Sequence, residues 1–134
     1  MNSLSRYSGV VFSLMRLIVG LLFACHGGQK ILGFPPGGHA ADSSLMVLGG
    51  WIELVCGFLV AVGLFTRIAA FISSGEMAVA YFMVHAPGGV YPATNHGDLA
   101  VVLCFLFLFI VFHGAGPLSL DAILCKKSQV SPTT

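Results

Sequence analysis

The chain has 134 residues, of which 57% are hydrophobic and only 8% are charged, and its formal net charge is +1. A soluble domain carries about 25% charged residues because water must wet its surface, so this composition excludes an ordinary soluble domain and predicts an integral membrane protein. The apolar composition predicts contact with the lipid bilayer. The small net charge provides no basic stripe, so we predict no contact with nucleic acid.

Four apolar segments follow one another along the chain, at about 9–31, 45–65, 67–86 and 98–115. Each approaches the roughly 20 residues that a spanning helix needs, although the last is the most interrupted. We predict an all-α fold, a transmembrane four-helix bundle formed by residues 1–125 as a single domain, and a flexible tail at 126–134. The first segment is too long for the apolar core of a signal peptide and contains Arg16, so we expect it to remain as a helix.

Basic residues predict the orientation of the bundle. Arg6, Arg67, Lys126 and Lys127 fall on one side of the predicted spans, whereas Lys30 alone falls on the other. Cytoplasmic segments carry the excess of Lys and Arg, so we predict that both termini of this multi-pass protein are cytoplasmic.

Three charged residues lie within the apolar segments, namely Arg16, Glu53 and Glu76. A charge at the centre of a spanning helix costs roughly 2.5–3.5 kcal/mol on insertion scales, so we expect the three to face the interior and meet. Similar depths predict that Arg16 pairs with Glu76. Glu53 then either shares Arg16 or holds a proton. These groups serve a proton-handling or ligand-binding site, or they form a buried salt bridge that only fixes the packing of the helices.

Small residues share faces with these charges. Gly49, Glu53 and Gly57 recur at intervals of four residues, and Gly20 and Gly27 lie on the same helical face as Arg16. Stripes of small residues let membrane helices approach closely. We therefore expect close helix packing beside the buried charges.

A second polar group is expected at the outer mouth of the bundle, where His26, His85, His96 and Asp98 approach Tyr91. Asp98 also suits the first turn or the N-cap of the fourth helix. The spacings match no standard metal site, so we predict no bound metal. The candidate ligand-binding residues are His26, His85, Asp98 and Trp51, and the candidate catalytic residues are Arg16, Glu53 and Glu76.

Several stretches resemble the DoxX family of small four-helix bacterial membrane proteins. They are the Arg16–Gly20–Phe23 spacing, "GGWIELVCGFLVAVGLFTRIAA" around Glu53, "GEMAVAYFMVHAPGG" around Glu76, and the "GPLSLDA" that follows the last apolar segment. The resemblance implies a four-helix bundle in the bacterial plasma (inner) membrane. It also implies a link to redox chemistry, because related chains are subunits of an archaeal thiosulfate:quinone oxidoreductase. The acid that opens the fourth helix is commonly Glu in the family, and here it is Asp98.

These observations favour a quinone- or quinol-interacting protein, or an accessory subunit of a membrane redox system. Glu53 would accept protons with Arg16 as its electrostatic partner, and His85 or His26 would hydrogen-bond a quinone oxygen. The sequence shows no haem, flavin or iron–sulfur motif, so we expect no intrinsic cofactor beyond a bound quinone. Electrons would then pass to a partner subunit, and a homo-oligomer such as a dimer is also expected. If it is an enzyme, it is an oxidoreductase subunit without its own redox centre; the alternatives are a small-molecule carrier or a scaffold whose charges only fix packing.

Overall fold

The computed structural model describes residues 2–129, with side chains described from residue 4 to residue 128. All regular structure in this part of the chain is helical. The α-helices are α1 (Asn2–Ser5), α2 (Ser8–Leu32), α3 (Ser44–Val62), α4 (Thr66–Ala80), α5 (Pro92–Asn95), α6 (Asp98–His113) and α7 (Leu120–Gln129). A π-helical turn, Tyr81–His85, and a 3-10 turn, Ala86–Gly88, continue α4. The predicted all-α fold is therefore confirmed.

Three helices are long and apolar enough to cross a membrane: α2, α3 and the continuous helical segment Thr66–Gly88. The fourth, α6, is apolar but has only 16 residues. At 1.5 Å per residue it measures about 24 Å, which is less than the roughly 30 Å of hydrocarbon in a typical bilayer. The predicted fourth span is thus present as a helix, but it is shorter than the other three.

Helices α2 and α3 form a hairpin in which their backbones touch. A Cβ atom added at Gly20 would lie 2.5 Å from the backbone nitrogen of Ala61, and one added at Gly57 would lie 2.5 Å from that of Ala24. No real side chain tolerates such distances. The close approach expected from the small-residue stripes is confirmed, and it requires glycine at these positions.

Helices α4 and α6 form the second hairpin. Side chains at the centre of the bundle join the two hairpins. Ser74 on α4 donates from Oγ to the main-chain oxygen of Cys104 on α6 at 2.8 Å. Phe23 on α2 packs against Phe107 on α6 with ring centroids 4.7 Å apart, and both side chains are fully buried. The core therefore lies where the two hairpins face each other.

The two ends of the bundle differ in what they contain. One end, which we call the Arg16 end, holds the α3–α4 turn at Gly63 and the α6–α7 connection at 114–119. The other, the Lys30 end, holds the end of α2 and the segment 81–97. The Arg16 end also carries α7, which includes residues 126–129 of the segment expected to be a flexible tail. Residues 130–134 of that segment lie outside the described part of the chain.

Candidate functional site

The buried carboxylate of Glu53 pairs with a lysine. Lys30 Nζ lies 2.8 Å from Glu53 Oε1, and the side chain of Glu53 is only 4% exposed. Lys30 belongs to the last turn of α2, and its long side chain reaches Glu53 on α3. Of the two alternatives for Glu53, the one in which it shares Arg16 is therefore wrong. Sequence position assigned Lys30 to the outer side, and only the path of its side chain brings it to Glu53.

Glu76 on α4 joins this pair without bonding to it. It interacts electrostatically with both Glu53 and Lys30. Glycine at position 49 makes room for it, because a Cβ there would lie 3.2 Å from Glu76 Oε1. The Oε2 atoms of Glu53 and Glu76 are buried and have no hydrogen-bond partner within the described residues. Two carboxyl groups and one ammonium group therefore meet in this part of the bundle.

A cavity of about 400 Å³ lies between α3 and α4 at this cluster. We call it the α3–α4 groove. Lys30 and Glu76 are the two ionisable residues among its lining residues, and the rest of the lining is apolar side chains and glycine. Leu48, Phe71 and Met83 on its wall are more than half exposed, so the groove opens on the outer, lipid-facing side of the bundle. Its chemistry suits a ligand with an apolar body and a polar head.

Arg16 lies at the opposite end of the bundle from the groove lining. It is buried, with 2% exposure, and donates from Nη1 to the Ala115 main-chain oxygen at 2.9 Å and from Nη2 to that of Leu118 at 2.8 Å. The predicted pair between Arg16 and Glu76 is wrong, because guanidinium donors satisfy the carbonyl groups left free after the end of α6. Arg16 joins α2 to the α6–α7 connection.

Asp121, which lies in the "GPLSLDA" stretch, had no role predicted from the sequence. Its carboxylate accepts hydrogen bonds from the backbone N–H groups of Phe65 and Thr66, both at 2.9 Å, and so caps α4 from a distant part of the chain. Burial by itself would raise the pKa of Asp121. The hydrogen bonds from Thr66 and Phe65 and the positive charge of Arg16 outweigh it and hold that pKa below its usual value. The sequence signal that could have indicated this cap was the "SLD" within "GPLSLDA", which ends the last connection of the bundle.

A hydrogen-bonded cap closes the Lys30 end, and its centre is Asn95, which the sequence did not indicate. Asn95 Nδ2 donates to the Gly89 main-chain oxygen at 2.6 Å, and the Asn95 main-chain oxygen lies 3.1 Å from His85 Nδ1. Tyr81 donates its hydroxyl to the Val90 main-chain oxygen at 2.6 Å. His85, on the π-helical turn, therefore anchors the segment that follows α4.

The other three candidate ligand-binding residues, His26, Trp51 and Asp98, are exposed on the outside of the bundle. Asp98 lies in the first turn of α6, as expected, while Gly97 takes the N-cap position. None of the four candidates, His85 included, lines the α3–α4 groove. Within residues 2–129, no hydrogen bond or ion pair joins them to one another, and no group of three or more His, Cys, Asp or Glu side chains is placed to hold a metal ion.

Comparison with known proteins places the chain in a family. The family model described as DoxX matches residues 11–86. The chain is 41% identical over 134 residues to a protein of Haemophilus influenzae described as uncharacterized, covering 95% of this chain and 100% of the relative. It is 33% identical over 135 residues to a protein of Mycobacterium tuberculosis described as an uncharacterized membrane protein, covering 85% of this chain and 81% of that relative. No solved structure is significantly similar to it. With a matching model over more than half its length and relatives along nearly all of it, this membrane protein belongs to the DoxX family.

Proposed function

We propose that this protein binds a lipid-soluble quinone or quinol in the α3–α4 groove and acts as an accessory subunit of a membrane redox system. The observation that carries the proposal is the composition of the groove. Its walls are apolar and open toward lipid, and its polar groups are confined to Glu76 and Lys30. A lipid-soluble quinone matches this composition, because it has an apolar tail and a compact head group that exchanges protons and electrons.

The position of the groove favours entry from the bilayer. The groove opens between two spanning helices. Two residues of its α4 wall, Phe71 and Val79, are 65% and 51% exposed. A ligand that is already dissolved in lipid reaches the groove sideways, without crossing water. Its tail then remains among the same apolar side chains and acyl chains that surround the protein.

The acid and base groups suit the proton chemistry of a quinol. Oxidation of a quinol releases protons together with electrons, so a carboxylate within hydrogen-bond reach of the hydroxyl group serves as the acceptor. Glu76 takes this role in the proposal because it lines the groove, whereas Glu53 is held by Lys30 behind it. The electrons pass to a redox partner subunit, or to a partner bound by a homodimer of this chain.

The test is to purify the protein in mild detergent, extract it with organic solvent and identify retained quinones by mass spectrometry. We expect a near-stoichiometric quinone in the wild type. Two groove variants should lose it: Glu76→Gln removes the carboxylate, and Gly75→Leu fills the groove at a wall position where a Cβ meets nothing within 4 Å. The matched control is Asp42→Asn, which removes an exposed carboxylate outside the groove.

Other results would contradict the proposal in different ways. Quinone at the same level in every variant would mean that it binds elsewhere or only through the detergent. An empty wild-type extract, combined with solute flux in liposomes that Glu76→Gln abolishes, would indicate a carrier. An empty extract with altered assembly in the same variant would indicate a scaffold.

A further inference from the structure

At the α3–α4 groove, some buried carboxyl oxygens have no hydrogen-bond donor. Lys30 Nζ is bound to Glu53 Oε1 at 2.8 Å. Oε2 of Glu53 and Oε2 of Glu76 are both buried and receive no hydrogen bond from the described residues. Each of the two carboxyl groups therefore has an oxygen without a donor, and of the two residues Glu76 is the one that lines the groove.

A buried oxygen without a donor is costly, and the cost is larger for a charged group. Lys30 is the one cationic residue in the described lining of the groove, and Glu53 already holds it. No donor of the described residues bonds to the buried oxygen of the Glu76 carboxylate, so this carboxylate retains acceptor capacity for a donor that a ligand in the groove supplies. Water is a poor source here, because the wall around Glu76 is apolar.

We infer that the α3–α4 groove selects ligands whose head group donates a hydrogen bond to Glu76. The inference rests on the proposed function for its biological form, in which the hydroquinone is preferred to the quinone. A hydroquinone has two O–H donors, one of which can meet the carboxylate of Glu76, which lines the groove. A quinone has only carbonyl acceptors, and it would place another partial negative charge beside two carboxyl groups.

The first test uses two ligands that differ only in the donor. Para-nonylphenol and its methyl ether have the same ring and tail, but the ether has no O–H group. Each is measured by competition against radiolabelled para-nonylphenol bound to immobilised wild-type protein, so the comparison requires no variant. A hydrogen bond to a charged acceptor predicts that the phenol binds about tenfold more tightly than the ether, or more. Equal affinity, or tighter binding of the ether, would overturn the inference.

The second test locates the acceptor. In Glu76→Gln the preference for the phenol should fall to about threefold, since a hydrogen bond to a neutral amide has roughly half the energy of one to a carboxylate. Asp42→Asn, which changes an exposed carboxylate outside the groove, should keep the full preference. A full preference that survives in Glu76→Gln would show that another group receives the hydrogen bond, and it would refute the assignment to Glu76.

The third test separates this inference from the proposed function. A decyl-substituted benzoquinone and its hydroquinone are compared under anaerobic conditions. Tighter binding of the hydroquinone supports both. Equal binding of the two forms overturns the donor selectivity and leaves the quinone function standing. If neither form binds while the phenol still exceeds its ether, the quinone function fails and the donor selectivity stands.

Discussion

The guanidinium of Arg16 donates from Nη2 to the main-chain oxygen of Leu118 at 2.8 Å, across 102 positions of the sequence. Its Nη1 binds the main-chain oxygen of Ala115, so one buried side chain on α2 holds both ends of the connection between α6 and α7. Neither bond involves the carboxyl groups of the bundle. Arg16 therefore stabilises the fold at one end, while the groove with Lys30 and Glu76 lies at the other.

The first prediction concerns the two hydrogen bonds that Arg16 donates to the α6–α7 connection. Arg16→Gln should destabilise the protein by about 2–4 kcal/mol, because two carbonyl groups lose charged donors and the shorter side chain leaves space. Thermal unfolding in detergent measures the change. The matched control is Arg6→Gln, which removes an exposed guanidinium near the same end and should change stability by about 0.5 kcal/mol or less. Normal stability in Arg16→Gln with loss of a groove ligand would contradict the structural role.

Asp121 should contribute stability that depends on pH. Its folded pKa lies below the ordinary value of 3.8, so the stabilisation is fully present above that ordinary value and is lost as pH falls through the folded pKa. Asp121→Ala removes the cap of α4 and should cost about 1 kcal/mol near neutral pH.

Thermal unfolding of both proteins between about pH 3 and about pH 7 tests this linkage. The difference between wild type and Asp121→Ala should shrink at the acid end, because Asp121 of the unfolded chain has the higher pKa and takes up a proton there before Asp121 of the folded protein. Asp42→Ala, which changes an exposed loop carboxylate, serves as the control and should show little difference at any pH. A difference that grows toward acid would contradict the assignment.

The ion pair between Lys30 and Glu53 should appear in a double-mutant cycle. Lys30→Met leaves a buried carboxylate without its partner and should cost about 3 kcal/mol. Lys30→Met combined with Glu53→Gln should recover a large part of that loss, because the unpaired charge is then absent. The free energy of unfolding in detergent is the readout. Costs that simply add in the double variant would show that the two side chains do not interact.

Two alanine substitutions test the close packing of α2 against α3. Gly20→Ala places a Cβ 2.5 Å from the backbone of Ala61, so the helices must separate, at a cost of about 1–3 kcal/mol. Gly75→Ala is the matched control, because its Cβ meets nothing within 4 Å and alanine favours the helix by up to about 1 kcal/mol. Unfolding measurements should therefore change in opposite directions. Equal effects in the two variants would mean that the helices do not touch at Gly20.

The orientation in the membrane stays a prediction from the distribution of basic residues. A green fluorescent protein fused after Thr134 should fluoresce, since it folds on the cytoplasmic side, and alkaline phosphatase at the same position should be inactive. Replacement of Lys126 and Lys127 by Gln tests the cause, because it removes two of the four residues that set the predicted bias. An active phosphatase fusion to the unchanged chain would reverse the assigned orientation.

The helical fold was accessible from the sequence because it depends on local properties. Long apolar segments predict spanning helices wherever they occur, since a backbone in lipid must satisfy its own hydrogen bonds. The glycine stripes were equally readable: Gly20 and Gly57 do bring α2 and α3 into backbone contact. The length of the fourth helix was less predictable, because its end at His113 depends on the turn at Gly114, where φ is +91°.

The pairing of charges was decided only by the tertiary structure. From the sequence, Arg16, Glu53 and Glu76 formed one set, and depth along the helices suggested Arg16 and Glu76 as partners. Depth does not specify the direction in which a long side chain extends, or which carbonyl groups are left without donors at a helix end. Folding directs Arg16 to the α6–α7 connection and Lys30 to Glu53.

The sequence by itself thus determined the solvent of this protein, its helices and the presence of carboxyl groups among apolar residues. Each of these follows from composition and from periodicities that extend over a few turns. The tertiary structure decided that Lys30 is the partner of Glu53, that Asp121 caps α4, and that Glu76 faces an apolar groove. The physical reason is that each of these contacts joins residues on different helices, and their meeting depends on how the helices pack together.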